Sequence, residues 1–400
     1  MTPLLFKHFT ATSCIGRGLQ ATLASLQEQR SGLAPCAFET VTLQTHIGEV
    51  PGIDSVRLPA ASKRFDCRNN RLAQLGIAED GFLDAVAACV GRWGRDRVGL
   101  FLGTSTSGML ETEIAYRQRD PQTGALPASF AYAGTHNSYS LAAFVQELLC
   151  LEGPSAVVSS ACSSSAKVFG SARRMIAAGL IDAAVVGGVD SLCLTTLYGF
   201  HSLQLVSPNP CKPFDVERDG ISIGEAAAFA LIERPPESLD TRAVLLLGVG
   251  ESSDAYHMSS PHPEGRGARA AMLQALQSAA LAPEDIDYIN LHGTGTPSND
   301  SAEGHAVAAV FGSQTPAVEA SSTKGATGHT LGAAGALEAV ICALSLQHGL
   351  LPGSAHTRRV DESLGFDYLC ANRLRPISRA LSNSFGFGGT NCSIVLGRAC

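Results

Sequence analysis

Apolar residues follow two rhythms along this chain. Short unbroken runs occur at Val98–Leu102, at Ser155–Ser160, in DAAVVGG from Asp182, in AAAFALIE from Ala226 and in AVLLLGVG from Ala243, the pattern of strands buried on both faces. From Ser163 the rhythm changes, with Ala166, Phe169, Ala172, Ile176 and Leu180 recurring three and four residues apart on one helical face. Strand, helix and strand in that order predict a β-α-β unit and hence parallel pairing. The strand at Val98 ends in GTSTSG and the one at Ser155 in ACSSS.

The second half of the chain repeats this plan. Ser321-Ser322-Thr323-Lys324 precedes a glycine-studded turn and a helix expected over Gly332–Gln347, as Ser159-Ser160-Ala161-Cys162 precedes its own helix. The parallel predicts an internal duplication, with a seam at Arg234-Pro235-Pro236-Glu237-Ser238 and halves of 1–234 and 235–400.

Composition narrows the classes. With 400 residues, 45% of them hydrophobic and 16% charged, the chain can bury one large core or two fused ones, and disorder is excluded. A net charge of −7 gives no global field that favours nucleic acid or anionic membrane. Twelve cysteines without a CxxC pair point to a reducing cytoplasm rather than to disulfides or zinc. The N-terminal MTPLLFKHFTATSC has no signal-like apolar stretch, and no window holds 18 uninterrupted apolar residues, so a soluble, unprocessed protein is expected. No GxxxxGK[ST] occurs and no GxGxxG leads from strand to helix, so no nucleotide cofactor is indicated.

Candidate chemistry centres on Cys162, which falls between a buried strand and the first turn of a helix. Free N–H groups and the helix dipole there are expected to favour a thiolate. A small buried cysteine has the same local appearance, so its surroundings must decide. Two histidines supply them. His292 in NLHGTGTPSND and His329 in SSTKGATGHTLGAAG each follow a short strand and sit in Gly/Thr-rich turns that let a ligand approach the backbone.

These segments, with CKPFDVERDGISIGEAAAFALIE, SSDAYHMSSPHPEG and NSFGFGGTNCSIVLG, resemble the motifs of the β-ketoacyl-acyl carrier protein synthases, condensing enzymes of fatty acid and polyketide assembly. The resemblance covers nearly the whole chain in six ordered motifs. It implies the α/β thiolase-like fold, with two βαβαβαββ halves in a five-layer α-β-α-β-α sandwich. It further implies decarboxylative Claisen condensation of a malonyl carrier thioester with an acyl group held on Cys162, without a bound cofactor or metal.

By the same resemblance, His292 and His329 hold the malonyl thioester carbonyl, and the N–H groups of Cys162 and Phe387 form an oxyanion hole, with Phe387 also the aromatic gate. Lys324 and Glu338 match an ion pair that orients the site, with Asp300 and Glu303 as further carboxylates. Thr294 and Thr296 match contacts to the pantetheine arm. Thr106 in GTSTSG matches the floor of the acyl pocket, and a small polar floor together with the short SPNPCKPFD loop suggests the synthases of aryl polyene pigments. In SKRFDCRNNRLAQLG, the basic residues Lys63, Arg64, Arg68 and Arg71 suggest a dock for an acidic acyl carrier protein, with Lys63 and Arg68 foremost. A homodimer, or a heterodimer with a homologous chain-length-factor subunit, is expected. The alternatives are a thiolase-type acyltransferase, which needs a second catalytic cysteine for which Cys392 is the sole candidate, and a chain-length-determining partner subunit, which would lack the nucleophile.

Overall fold

A computed structural model describes residues 2–313, 316–360 and 364–399. In the first half the strands are β1 (Leu4–Ser13), β2 (Val98–Gly103), β3 (Ser155–Val158), β4 (Ala183–Asp190) and β5 (Ala226–Glu233). In the second half they are β6 (Val244–Ser253), β7 (Tyr288–Asn290), β8 (Glu319–Ser321), β9 (Arg379–Gly386) and β10 (Thr390–Arg398). The first set pairs in the order β3-β2-β4-β5-β1 and the second in the order β8-β7-β9-β10-β6. Parallel and antiparallel ladders also match position by position, so both halves have one topology. Antiparallel pairing of Leu4 and Leu5 with Leu246 and Leu245 joins them edge to edge.

Helices fill three layers around these strands. On one outer face lie α1 (Arg68–Ile77), α2 (Phe82–Trp93) and α3 (Tyr139–Leu148), whose Leu72, Phe82 and Phe144 pack on Leu100, Val185 and Leu231. Between the halves run α4 (Ser164–Ala177) and, further along the chain, α8 (Ala334–His348), where Phe169, Leu337 and Ile341 share a core with Phe6, Val186 and Ile394. The helix α5 (Leu194–Ser202) lies beyond β4. The other outer face carries α6 (Arg266–Ala279) and α7 (Pro297–Phe311), whose Met272 and Phe311 cover Ile289 and Leu381. The result is the α-β-α-β-α order. Each fully buried Leu, Ile or Phe contributes roughly 1.5–3 kcal/mol of transfer free energy.

That middle position explains α8. A helix apolar on all sides either spans a membrane or runs through a core. Residues 331–348 are long and apolar enough to span, and 89% of that stretch is buried inside the protein. Two local differences from the sequence expectation matter for the site. The strand at Ser155 stops at Val158, leaving Ala161 in the left-handed region at φ 51° immediately before Cys162. The helix expected from Gly332 starts at Ala334, after a 3-10 turn, Leu331–Ala333, whose Leu331 has φ 52°.

Candidate active site

The C-terminal ends of parallel strands converge on one cavity, where ligands bind in open α/β sheets. β3 leads to Cys162, β7 to His292, and β8 to Lys324 and the turn that carries His329. All four are buried. Nε2 of His329 lies 2.9 Å from Sγ of Cys162. The sulfur and a nitrogen of each imidazole lie within 4.8 Å of one another, and the two rings meet edge-on with centroids 5.2 Å apart. They stand at one cavity that Thr294, Thr296, Phe385 and Phe387 also line.

Electrostatics sets the protonation states. Lys324 Nζ makes an ion pair with Glu338 and lies 3.4 Å from Nδ1 of His292. An ammonium can only donate, so Nδ1 accepts and the His292 proton sits on Nε2. Burial, reinforced by the Lys324 charge, holds both imidazoles well below their usual range, so they are neutral. His329 Nδ1 has no hydrogen-bond partner among the described residues. Because an orphaned buried N–H is rarer than an orphaned acceptor, its proton belongs on Nε2, facing the sulfur.

Cys162 departs from expectation. The helix start was expected to lower its pKa, but burial pushes the thiol up to about 12, against the Lys324 charge and N–H donation from Phe387 and from Cys162 itself. Desolvation of a point charge outweighs the partial charge of a helix end. A raised pKa means that the thiol form prevails at neutral pH and the thiolate appears only as pH rises. Iodoacetamide labelling of Cys162 in the resting protein should therefore climb steadily from pH 7 to 10 without a plateau, read by peptide mass spectrometry. A plateau near pH 7 would show a preformed thiolate.

The loop carrying His292 is held from below by α7. Glu303 accepts from the N–H of His292 (2.8 Å) and of Gly293 (2.7 Å), and Asp300 from those of Thr294 (3.0 Å) and Phe214 (2.8 Å). Thr294 and Thr296 share a 2.9 Å hydroxyl bond at the cavity wall, and Thr296 also caps α7. Phe387 is half-buried and precedes Gly388 and Gly389, both at positive φ (80° and 72°), a turn that side-chain-bearing residues rarely adopt.

Comparison with known proteins now joins this geometry. Residues 85–238 match the N-terminal domain of beta-ketoacyl synthases and residues 243–358 the C-terminal domain. A 3-oxoacyl-[acyl-carrier-protein] synthase 2 of Vibrio cholerae is 31% identical over 96% of this chain and 96% of its own length. The chain belongs to the beta-ketoacyl synthase family. The Coxiella burnetii 3-oxoacyl-[acyl-carrier-protein] synthase 2 is 38% identical over 62% of this chain, a match spanning 63% of that protein's length. Among solved structures, a ketosynthase in complex with its chain length factor from Xenorhabdus doucetiae superposes with a TM-score of 0.88 at 36% identity, over 100% of this chain and 98% of that one. These relatives are condensing acyltransferases, and the fold is the thiolase-like fold of ketosynthases.

Not every family-based expectation for a residue survives. Arg68, expected on a docking surface, is 4% exposed and bonds the buried carboxylate of Glu225 through Nε and Nη2, with Glu49 and Asp54 completing its shell. A guanidinium so enclosed ties α1 to the β5 edge and cannot meet a partner. Lys63 and Arg64 are exposed, and Arg64 pairs with Glu147. Arg71 pairs with Asp66. Thr106 does not line the cavity at Cys162: it is buried with its hydroxyl donated to Asp190. Cys392 lies inside β10, fully buried and away from the cavity lining, so a thiolase-like second cysteine has no place. Sequence reasoning missed Phe200 of α5, whose ring packs 5.4 Å from Phe387, and Asp190, whose position at the end of a buried parallel strand was the available signal.

Proposed function

We propose that this protein condenses acyl and malonyl groups carried on acyl carrier protein, with Cys162 as the acyl acceptor. The observation that carries the reading is the meeting of the Cys162 sulfur with two neutral imidazoles at one cavity. An acyl group passes from the carrier's phosphopantetheine sulfur to Cys162, releasing the carrier thiol. A malonyl thioester then enters. Nε2–H groups of His292 and His329 donate to its carbonyl oxygen and stabilise the enolate formed as carbon dioxide leaves. The enolate carbon attacks the Cys162 thioester, the N–H groups of Cys162 and Phe387 hold the tetrahedral oxyanion, and its collapse releases a 3-oxoacyl thioester and returns the cysteine. Removing one such donor costs about 3 kcal/mol of barrier in comparable sites. Each step uses sulfur, imidazole and backbone groups, so no bound cofactor is called for.

The partner assignment extends the same reading. Carrier protein is the substrate's vehicle, and Lys63 and Arg64 are the exposed cations left of the expected dock. A homologous chain-length-factor subunit is the proposed second chain, on the precedent of the Xenorhabdus doucetiae complex. An aryl polyene substrate rests on the short SPNPCKPFD loop, since Thr106 gives its hydroxyl to Asp190 and does not line the cavity at Cys162. Eleven free cysteines among the described residues suit a reducing cytoplasm.

The test separates the two half-reactions. His329→Ala should still take an acyl group onto Cys162, seen by intact-protein mass spectrometry, while malonyl decarboxylation falls by at least 10²-fold. Retained malonyl turnover would remove His329 from its role.

A further inference from the structure

At the end of β4 the segment GGVDS places the fully buried carboxylate of Asp190. Every polar group that reaches it is a donor. Its Oδ1 accepts from the hydroxyls of Thr104 (2.7 Å) and Thr106 (2.8 Å) and from the N–H groups of Ser105 and Thr106 (both 2.8 Å). Its Oδ2 accepts from the N–H groups of Gly332 (2.5 Å) and Ser105 (3.0 Å). A buried carboxylate without a cation partner is costly, and these donors offset part of that cost while burial still holds the Asp190 carboxyl above its usual range.

Those donors lead to opposite sides of the site. The Ser105 hydroxyl donates to the carbonyl of Ala161 at 3.3 Å, the residue just before Cys162. Gly332 lies three residues after His329 and follows Leu331, which packs among Leu192, Cys193, Ile221 and Ile223. A Cβ at Gly332 would stand 2.7 Å from both Asp190 Oδ2 and Ser105 Oγ, so only glycine permits this approach. One carboxylate therefore holds the turn after the imidazole directly and, by way of Ser105, the backbone before the sulfur.

We infer that Asp190 is a positioning residue, whose carboxylate sets the spacing of Cys162 Sγ and His329 Nε2 by clamping residues 104–106 to the Leu331–Ala333 turn. It touches neither substrate nor reacting atoms, and the inference rests on the condensing role proposed above. Asparagine at 190 keeps the size but turns an NH2 group towards donors, so one N–H loses its acceptor. It also removes an anion that opposes thiolate formation. The other ionisable groups facing the sulfur are Lys324, which favours the thiolate, and the two neutral histidines.

Asp190→Asn should lower kcat on the order of 10²-fold with KM for carrier thioesters within about threefold, since a misplacement of about 1 Å at reacting atoms has that effect. Iodoacetamide labelling of Cys162 should move to lower pH. Glu233→Gln is the comparator: this carboxylate at the end of β5 is buried and bonded to Arg92 and Trp93, away from the cavity. It should lose thermal stability yet keep kcat and the labelling profile. If Asp190→Asn does not fold, Ser105→Ala and Gly332→Ala take its place, each expected to cost about tenfold or more in kcat. A folded Asp190→Asn with kcat within threefold of wild type, an unshifted labelling profile, or wild-type kcat in both substitutes would overturn the clamp. Acylation of wild-type Cys162 is scored separately, and its failure would instead sink the reading of the site.

Discussion

Alanine in place of Cys162 should leave a folded protein that accepts no acyl group and makes no carbon–carbon bond. The substitution removes one sulfur atom from a cavity wall, so stability should change by about 1 kcal/mol or less. Chemistry has no such latitude. The acyl chain must be held as a thioester where the N–H groups of Cys162 and Phe387 await its oxyanion, and alanine offers no atom to hold it. Elongation should fall by at least 10⁴-fold, by analogy with loss of other covalent nucleophiles. The chain has other thiols, and Cys150 is exposed, so the measurement is peptide-level mass spectrometry after incubation with an acyl-carrier thioester. The acyl mass should sit on the peptide containing Cys162 and vanish in the variant. An adduct carried by Cys150 alone, or elongation persisting in Cys162→Ala, would contradict the assignment.

Much of this architecture was legible because its signals are local. An apolar run as short as AAVVGG, leading out of a helix, reads as a strand buried on both faces, and the Ser-pair motif before Cys162 and before Lys324 marked equivalent places in two halves with the same strand order. Cys162, His292 and His329 stood out by their glycine-rich turns, and they do meet. What escaped was set by tertiary surroundings. A helix N-terminus argues for a thiolate, but it cannot show that the sulfur is buried deeply enough for desolvation to outweigh it. Arg68 looks like any surface arginine in a basic stretch, since its partner Glu225 is 157 residues away in sequence. Thr106 reads as pocket lining until Asp190 is seen to take its hydroxyl. For Arg68 and Thr106 a long-range polar partner decided which way the side chain turned, and a single sequence carries no period or spacing that encodes such a pair.

Breaking the Lys324–Glu338 pair should have the largest effect on stability, and the effect should depend on pH in a defined direction. Lys324→Met leaves the Glu338 carboxylate buried and unpaired, a change that typically costs 3–5 kcal/mol. Burial already pushes Glu338 up to about 7 with the ammonium beside it, and loss of Lys324 raises it further. An acid whose folded pKa exceeds its unfolded value, near 4.3, contributes stability at low pH that is lost as pH rises through the folded pKa. The deficit of Lys324→Met should therefore be greatest at pH 8 and shrink towards pH 5, read from chemical denaturation at each pH. The double variant Lys324→Met with Glu338→Gln should recover most of that stability, because no unpaired charge is left. Activity should not return with it. Without an ammonium at Nδ1, the His292 proton is no longer confined to Nε2, and an unprotonated Nε2 facing the enolate oxygen repels what it should hold. Malonyl decarboxylation in the double variant should stay at least 10²-fold below wild type. If it recovered along with stability, Lys324 would be a structural ion-pair partner only, and another group would have to be setting the His292 tautomer.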